Sequence, residues 1–95
     1  MEQGGEKDGG REVNWVYLLQ CADGSLYCGW TNALARRLKA HREGTASKYT
    51  RTRRPVRLVY AEQCPTRHEA MSREARIKRM SRREKRRLCG LEAEE

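Results

Sequence analysis

Apolar and aromatic side chains dominate one short segment near the start of the chain. Residues 13–20 read Val-Asn-Trp-Val-Tyr-Leu-Leu-Gln, so both alternating faces of an extended segment are largely apolar. This pattern is typical of a strand covered on both sides and predicts the interior strand of a sheet. Residues 22–25 are turn formers, and residues 26–30 predict a second strand that completes a hairpin.

A helix is expected directly after the hairpin. Leu34, Leu38 and His41 recur at helical spacing. Thr31 or Asn32 can cap the start of this helix, because their side-chain oxygens accept a backbone N–H. The first turn of the helix should therefore lie close to the predicted sheet.

The second half of the chain predicts one more strand and two more helices. Residues 45–55 are polar and basic, which indicates a loop, and residues 56–63 are typical of a third strand. Two capping boxes at 66–69 and 81–84 each predict the start of a helix. The order ββα-β-αα indicates a small α+β domain with a three-stranded, mainly antiparallel sheet flanked by helices.

Composition limits the class of protein. The 95 residues suffice for one domain with a single core. No apolar run approaches the roughly 18 residues of a membrane span, and the first 12 residues lack the hydrophobic segment of a secretion signal. The four cysteines form no Cys-x-x-Cys pair, so we expect no metal on them, and without a secretion signal we expect reduced thiols. These features predict a soluble, cytoplasmic protein with no membrane partner.

The charge is concentrated in the predicted domain. The whole chain carries +8, residues 1–12 carry −2 and residues 92–95 carry −3, which leaves +13 on residues 13–91. We expect a flexible, acidic, glycine-rich tail at 1–12, one domain at 13–91 and a short acidic tail at 92–95. A domain this basic should attract a polyanion such as nucleic acid. A membrane surface or solubility alone would also explain the charge.

Tyr17 and Tyr27 lie on the two arms of the predicted hairpin, and the turn decides whether they meet. A two-residue turn, Asp23-Gly24, places them on opposite faces of the sheet. A three-residue turn at 22–24, with Gly24 in the left-handed conformation, places them on one face as diagonal neighbours. Two ordinary strand tyrosines are the simpler interpretation.

Arg37 and His41 are four residues apart and project from one side of the first predicted helix. Basic residues beside an apolar stripe usually form a solvated flank. Because this helix begins beside the strand of Tyr27, Arg37 could instead bind a phosphate, whose two oxygens suit the planar guanidinium.

Glu74 interrupts the apolar stripe of the next predicted helix. Ala70, Glu74 and Ile77 fall at i, i+4 and i+7, so a carboxylate occupies a position that the pattern assigns to an apolar side chain. An inward carboxylate in a basic domain requires an arginine or a cation as its partner. The candidate arginines are Arg37, Arg73 and Arg76. The alternative is a ligand for Mg²⁺, which takes one or two carboxylates together with water and phosphate oxygens.

Several short segments occur in a recognisable order. Trp15-Val16-Tyr17 precedes Tyr27-Cys28-Gly29, with the tyrosines ten positions apart, and the helical segment 35–41 and Glu74 follow. Segments 48–50, 53–56 and 77–82 add to the match. This order resembles the GIY-YIG nuclease family, in particular its small stand-alone bacterial members related to the excinuclease nuclease domain. The resemblance covers about residues 14–88.

The resemblance implies a metal-dependent phosphodiesterase. The implied catalytic residues are Tyr17, Tyr27, Arg37, His41 and Glu74. Glu74 would bind Mg²⁺ or Mn²⁺, and Gly29 would keep the second motif clear of a side chain. The chain departs from the family in two places: Trp15 replaces the glycine of the first motif, and no asparagine follows Asn32, so the C-terminal asparagine of larger members is missing.

We therefore expect an endonuclease that acts on nucleic acid, with DNA as its substrate, a structure-selective cut and a place in DNA repair. Tyr27 is the expected general base, while Tyr17 or His41 orients the attacking water. A set of basic residues should bind the nucleic-acid backbone. They are Lys48, Arg51, Arg53, Arg54, Lys78 and Arg82. The alternatives are a non-catalytic nucleic-acid-binding module and a small protein whose basic face binds an acidic partner.

Overall fold

Three strands and four helices follow one another in the computed structural model, which describes residues 13–91. They are β1 (Asn14–Gln20), β2 (Leu26–Thr31), α1 (Leu34–Glu43), α2 (Lys48–Arg51), β3 (Arg57–Cys64), α3 (Arg67–Lys78) and α4 (Arg82–Leu88). The α+β class and the predicted order are confirmed, with α2 as an addition. The tails predicted at 1–12 and 92–95 lie outside the described residues.

The first strand is the centre of the sheet. The strand order is β2-β1-β3, and both neighbours of β1 run antiparallel to it. Val16 and Leu18 pack with residues of α3 on one face, while Tyr17 and Leu19 pack with residues of α1 on the other. The prediction of an interior strand is therefore confirmed.

The turn between β1 and β2 is the three-residue alternative. Gly24 has a φ of +87° and donates its backbone N–H to the carbonyl of Cys21 at 2.9 Å. Leu19 is consequently opposite Tyr27 in the ladder. Since Tyr17 and Tyr27 then point to the same side of the sheet, both belong to the cluster beneath α1.

Two local predictions are wrong. The residue that precedes α1 is Ala33, which has no side-chain acceptor, and Thr31 Oγ1 instead accepts the N–H of Ala33 at 3.0 Å outside the helix. The segment predicted as a loop contains the single-turn helix α2. Ser47 caps it by accepting the backbone N–H of Thr50 at 3.1 Å. Four residues are too few to produce a hydrophobic period, so the spacing of apolar residues could not indicate this helix.

The last two helices begin as their capping patterns predict. Ser81 and Glu84 exchange both hydrogen bonds of a capping box, and Thr66 Oγ1 accepts the N–H of Glu69 at 3.0 Å. No helix within residues 13–91 is long and apolar enough to cross a membrane. The helices instead cover the two faces of the sheet, and the side beneath α1 and α2 carries most of the candidate residues.

Candidate active site

A completely buried histidine joins three elements of the fold. His41 lies in the last turn of α1, and its Nε2 is 2.8 Å from Tyr17 Oη on β1. Its Nδ1 is 2.9 Å from Thr50 Oγ1 on α2. Both ring nitrogens therefore have a hydrogen-bond partner, which fixes the orientation of the imidazole.

Gly29 on β2 makes room for the Tyr17 side chain. The two residues are directly opposite in the ladder, and the Tyr17 ring lies over the glycine. A Cβ at position 29 would be 2.6 Å from Tyr17 Oη and 2.8 Å from its Cζ. The close approach that we expected at Gly29 thus comes from the first tyrosine.

Aromatic contacts hold Tyr27 beside the same histidine. The ring of Tyr27 meets the His41 ring edge-on, with 5.2 Å between centroids, and stacks on Tyr49 at 5.8 Å. The Arg53 guanidinium lies over the ring of Tyr49, 3.8 Å from its centroid. These contacts leave the Tyr27 ring fixed in position next to the Tyr17–His41 pair.

Burial keeps this pair uncharged. Burial raises the pKa of the Tyr17 phenol well above its ordinary value, and the nearby Tyr27 raises it further, while the positive charge of Arg37 lowers it. Burial also lowers the pKa of the His41 imidazole, and the charge of Arg37 lowers it further. The hydrogen bond therefore joins a neutral phenol and a neutral imidazole near neutral pH.

The remaining two candidate residues lie on different helices around Tyr17. Arg37 is exposed on α1. The Glu74 carboxylate on α3 is 21% exposed and lies 3.4 Å from the Lys78 ammonium. The charges of both Arg37 and Glu74 act on the Tyr17 phenol, in opposite directions.

Within residues 13–91, none of the arginines considered as partners of Glu74 forms an ion pair with it. Lys78, one turn further along α3, pairs with Glu74, because residues four apart are neighbours on a helix surface. Arg73 donates instead to Glu62 on β3 at 3.0 Å. Lys78 was also one of the predicted nucleic-acid contacts, and its side chain is 55% exposed.

The donor chemistry around Glu74 fits one hard metal ion. No three side chains of His, Cys, Asp or Glu within residues 13–91 are grouped so that they could hold a metal. A single accessible carboxylate nevertheless suits Mg²⁺ or Mn²⁺, which complete their coordination with water and substrate phosphate oxygens. Glu74 is therefore the candidate protein ligand.

Two of the predicted nucleic-acid contacts are also structural. Arg53 Nε donates to Asp23 Oδ2 at 3.1 Å, which ties the segment after α2 to the hairpin turn. Arg54 donates to the backbone carbonyls of Arg51 at 3.1 Å and Arg42 at 3.3 Å. These hydrogen bonds hold α2 against the C-terminal end of α1.

The other predicted contacts are exposed. Lys48 and Arg51 on α2 and Arg82 on α4 form no ion pair with another residue in the described part of the chain. Arg82 reaches the hairpin turn, where its guanidinium lies beside Gly24. Their positive charges are available to a polyanion.

Sequence reasoning missed what α2 contributes to the site. Tyr49 and Thr50 are consecutive, yet one stacks on Tyr27 and the other contacts His41. Segment 48–50 was part of the family resemblance and Lys48 was a predicted nucleic-acid contact, but no role was attached to Tyr49 or Thr50. Ser47 three residues before Thr50 is a capping pattern that could have indicated the helix.

The three-stranded antiparallel sheet with helices on both faces, and with the Tyr17–His41 pair on one of them, matches a known class of catalytic domain. Residues 13–87 match the family model of the GIY-YIG catalytic domain. The chain belongs to the GIY-YIG family, which confirms the resemblance found in the sequence.

Within this family the chain is similar to UPF0213 proteins. It is 53% identical over 73 residues to one from Clostridium perfringens, which covers 77% of this chain and 78% of the relative. It is 51% identical over 72 residues to one from Bacillus pumilus, covering 76% of this chain and 74% of the relative.

Two solution NMR structures have a similar fold. A UPF0213 protein from Bacillus halodurans is 46% identical, with a TM-score of 0.55, and the match covers 83% of this chain and 84% of that one. A protein from E. faecalis is 38% identical, with a TM-score of 0.57, and the match covers 90% and 92%.

Proposed function

We propose that the protein is a metal-dependent endonuclease that hydrolyses phosphodiester bonds of nucleic acid, with DNA as the substrate. The observation that carries the proposal is the environment of the buried Tyr17 hydroxyl. Tyr17 Oη is 2.8 Å from His41 Nε2, and the charges of Arg37 and Glu74 both act on it. Membership of the GIY-YIG family gives the reaction class.

The two tyrosines have different roles in this proposal. Tyr17 is buried and held by His41, so it orients the attacking water at a fixed position. Tyr27 is partly exposed and packed against His41, and its phenolate form would accept the proton of that water and become the neutral phenol. The contacts with His41 and Tyr49 hold the ring of Tyr27 in place.

Arg37 stabilises the transition state. Its side chain is exposed, so a phosphate can reach it, and its charge acts on both Tyr17 and His41. An attacked phosphodiester gains negative charge on its non-bridging oxygens, and two guanidinium N–H groups can donate to these oxygens. The interaction is strongest at the moment the charge develops.

Glu74 would hold Mg²⁺ or Mn²⁺. When bound, such an ion supplies positive charge that stabilises the leaving oxygen of the phosphodiester. The carboxylate of Glu74 is partly exposed, and Lys78 neutralises it in the structure. The flexible, half-exposed lysine side chain can leave the carboxylate and turn to a backbone phosphate.

Exposed basic residues support binding to the nucleic-acid backbone. Lys48, Arg51 and Arg82 present their charges at the surface. Contacts to phosphates carry no base sequence information, so we propose that the enzyme selects the structure of DNA and not its sequence. A cytoplasmic location and a place in DNA repair stay predictions.

Cleavage assays with matched variants test the proposal. Purified protein is incubated with linear DNA, branched DNA and RNA of the same sequence, in Mg²⁺, in Mn²⁺ and with a chelator. We expect metal-dependent cleavage of DNA, and a rate for Glu74→Gln lower by at least about 100-fold. Glu43→Gln is the matched control. Glu43 is 57% exposed, is the last residue of α1 and is not one of the candidate site residues.

Other outcomes contradict the proposal in different ways. Salt-dependent DNA binding without cleavage in either metal would indicate a non-catalytic nucleic-acid-binding module. No affinity for DNA at low salt would indicate a basic surface that binds an acidic partner. Equal cleavage by the wild type and Glu74→Gln would show that the activity does not depend on this site.

A further inference from the structure

The short helix α2 places a buried hydroxyl behind the histidine of the site. Thr50 is completely buried, and its Oγ1 lies 2.9 Å from His41 Nδ1 and 3.0 Å from Ser47 Oγ. The same oxygen lies 3.5 Å from the backbone carbonyl of Ser47. A chain of hydrogen bonds thus runs from Tyr17 through His41 and Thr50 to Ser47.

The protons of this chain can be assigned by counting donors and acceptors. The proton of Thr50 has acceptors in Ser47, at both its hydroxyl and its carbonyl. If that proton points to Ser47, Thr50 Oγ1 is an acceptor for a proton on His41 Nδ1. A neutral imidazole with Nδ1 protonated has a bare Nε2, which accepts the phenolic proton of Tyr17.

The opposite tautomer leaves a buried donor without an acceptor. With the proton on Nε2, His41 would donate to Tyr17 Oη, and the phenolic proton would have to point elsewhere. Tyr17 is 1% exposed, and the structure shows no second partner for its hydroxyl within residues 13–91. Buried donors are almost always satisfied, so the first assignment is favoured.

We propose that Thr50 is a positioning residue that fixes His41 as the tautomer protonated on Nδ1. Thr50 does not reach a substrate itself; it acts through His41 on Tyr17. In this state the phenolic proton of Tyr17 is held by His41 Nε2, which fixes the direction of the Tyr17 O–H bond. This inference rests on the proposed function for its role in cleavage, but the tautomer itself does not.

The tautomer can be measured without any nuclease activity. The chain has only two histidines, His41 and the exposed His68. Long-range ¹H–¹⁵N spectra of the imidazoles distinguish a protonated from a bare ring nitrogen, and His68→Gln assigns the signals. For the wild type we expect a protonated Nδ1 and a bare Nε2 at His41.

Three variants separate a positioning role from a general loss of structure. Thr50→Val keeps the shape of the side chain and removes the acceptor, so the His41 signals should change to the other tautomer or to a mixture. Thr50→Ser keeps the hydroxyl and should keep the wild-type signals. Thr45→Val is the matched control, because Thr45 is exposed and its hydroxyl bonds to Ala40 and not to His41.

The cleavage rate provides the second measurement. Loss of a group that orients a site residue typically costs about 10- to 100-fold, and we expect a decrease of this size in kcat for Thr50→Val with little change in KM. Thr50→Ser should recover most of the rate. If the wild type does not cleave at all, the proposed function fails, while the spectra still decide the tautomer.

A wild-type His41 protonated on Nε2 would overturn the inference. Unchanged signals in a folded Thr50→Val protein would overturn it as well. If Thr50→Val does not fold, the wild-type and Thr50→Ser spectra decide: a bare Nε2 in both supports the assignment, and a protonated Nε2 in either contradicts it.

Discussion

The two faces of the central strand β1 are built from different chemistry. On the side of α3, Val16 and Leu18 pack against Ala70 and Ile77, and these four side chains have no hydrogen-bonding atom. On the side of α1 and α2, Tyr17 lies in an equally buried position but bonds to His41. Neighbouring residues of β1 thus point alternately into a dry apolar core and towards a polar network.

The difference teaches which face stabilises the fold. Burial of apolar surface contributes about 25 cal/mol per Å², so the α3 face gains free energy from every methyl group. A buried hydrogen bond contributes only about 0.5–1.5 kcal/mol, because folding exchanges it for bonds to water. The polar face therefore adds little stability that an apolar one would not, and its chemistry is best explained by the proposed reaction.

The largest effect is expected from the apolar face. Ile77 is completely buried in the cluster with Val16 and Leu18. Ile77→Ala should lower the free energy of unfolding by about 2–5 kcal/mol, because it removes three buried carbons and leaves a cavity. Urea denaturation followed by circular dichroism measures the change, and Ile77→Val should cost about 0.5–1.5 kcal/mol.

This pair of variants also tests the division between the faces. Folded Ile77→Val protein should cleave DNA at the wild-type rate, because Ile77 is completely buried in the apolar cluster and the substitution removes a single methylene. A large loss of activity without a loss of stability would show that the apolar cluster around Ile77 takes part in the reaction.

The apolar face could be predicted from the sequence almost completely. The largely apolar character of both faces of residues 13–20 located the central strand, and the capping boxes located α3 and α4. Such signals are local and repeat over many residues, so the pattern is strong. Glu74 was visible for the same reason, as a break in the apolar stripe of α3.

The polar face could be predicted only in part. The three-residue turn and the shared face of Tyr17 and Tyr27 were one of two alternatives, and the roles of these residues came from the family resemblance. The contact between Thr50 and His41 joins residues nine positions apart across a turn and a one-turn helix. No periodicity encodes a contact of this kind, so it required the structure.

A smaller effect on the free energy of unfolding is expected at Gly29, where the two strands of the hairpin meet on the polar face. Gly29→Ala would place a Cβ 2.6 Å from Tyr17 Oη and force the ring of Tyr17 away from His41. We expect a loss of about 1–3 kcal/mol in the free energy of unfolding, as for other overpacked sites, and a loss of cleavage.

A double-mutant cycle gives the control for this variant. Tyr17→Phe removes the oxygen that the new Cβ approaches most closely, so the cost of Gly29→Ala should be smaller in that background. Equal costs in both backgrounds would contradict the contact between Gly29 and Tyr17 as the reason for the glycine.

The smallest expected effect is a pH dependence of stability, which comes from a histidine of the polar face. Burial, together with the charge of Arg37, lowers the pKa of His41 in the folded protein, whereas a histidine in the unfolded chain titrates near its ordinary value of about 6.5. Between these two values the unfolded chain binds more protons than the folded one. Stability should therefore be constant above about pH 7 and fall as the pH decreases below about 6.5.

The slope of the free energy of unfolding against pH distinguishes the titration of His41 from that of other groups. One proton changes the free energy of unfolding by at most about 1.4 kcal/mol per pH unit, and urea denaturation between pH 7.5 and 5.5 avoids most of the titration of carboxylates. His68→Gln should keep the slope, since His68 is exposed, and His41→Gln should abolish it. A slope that survives in His41→Gln would assign the acid sensitivity to other groups and would remove the main difference in pH behaviour between the two faces.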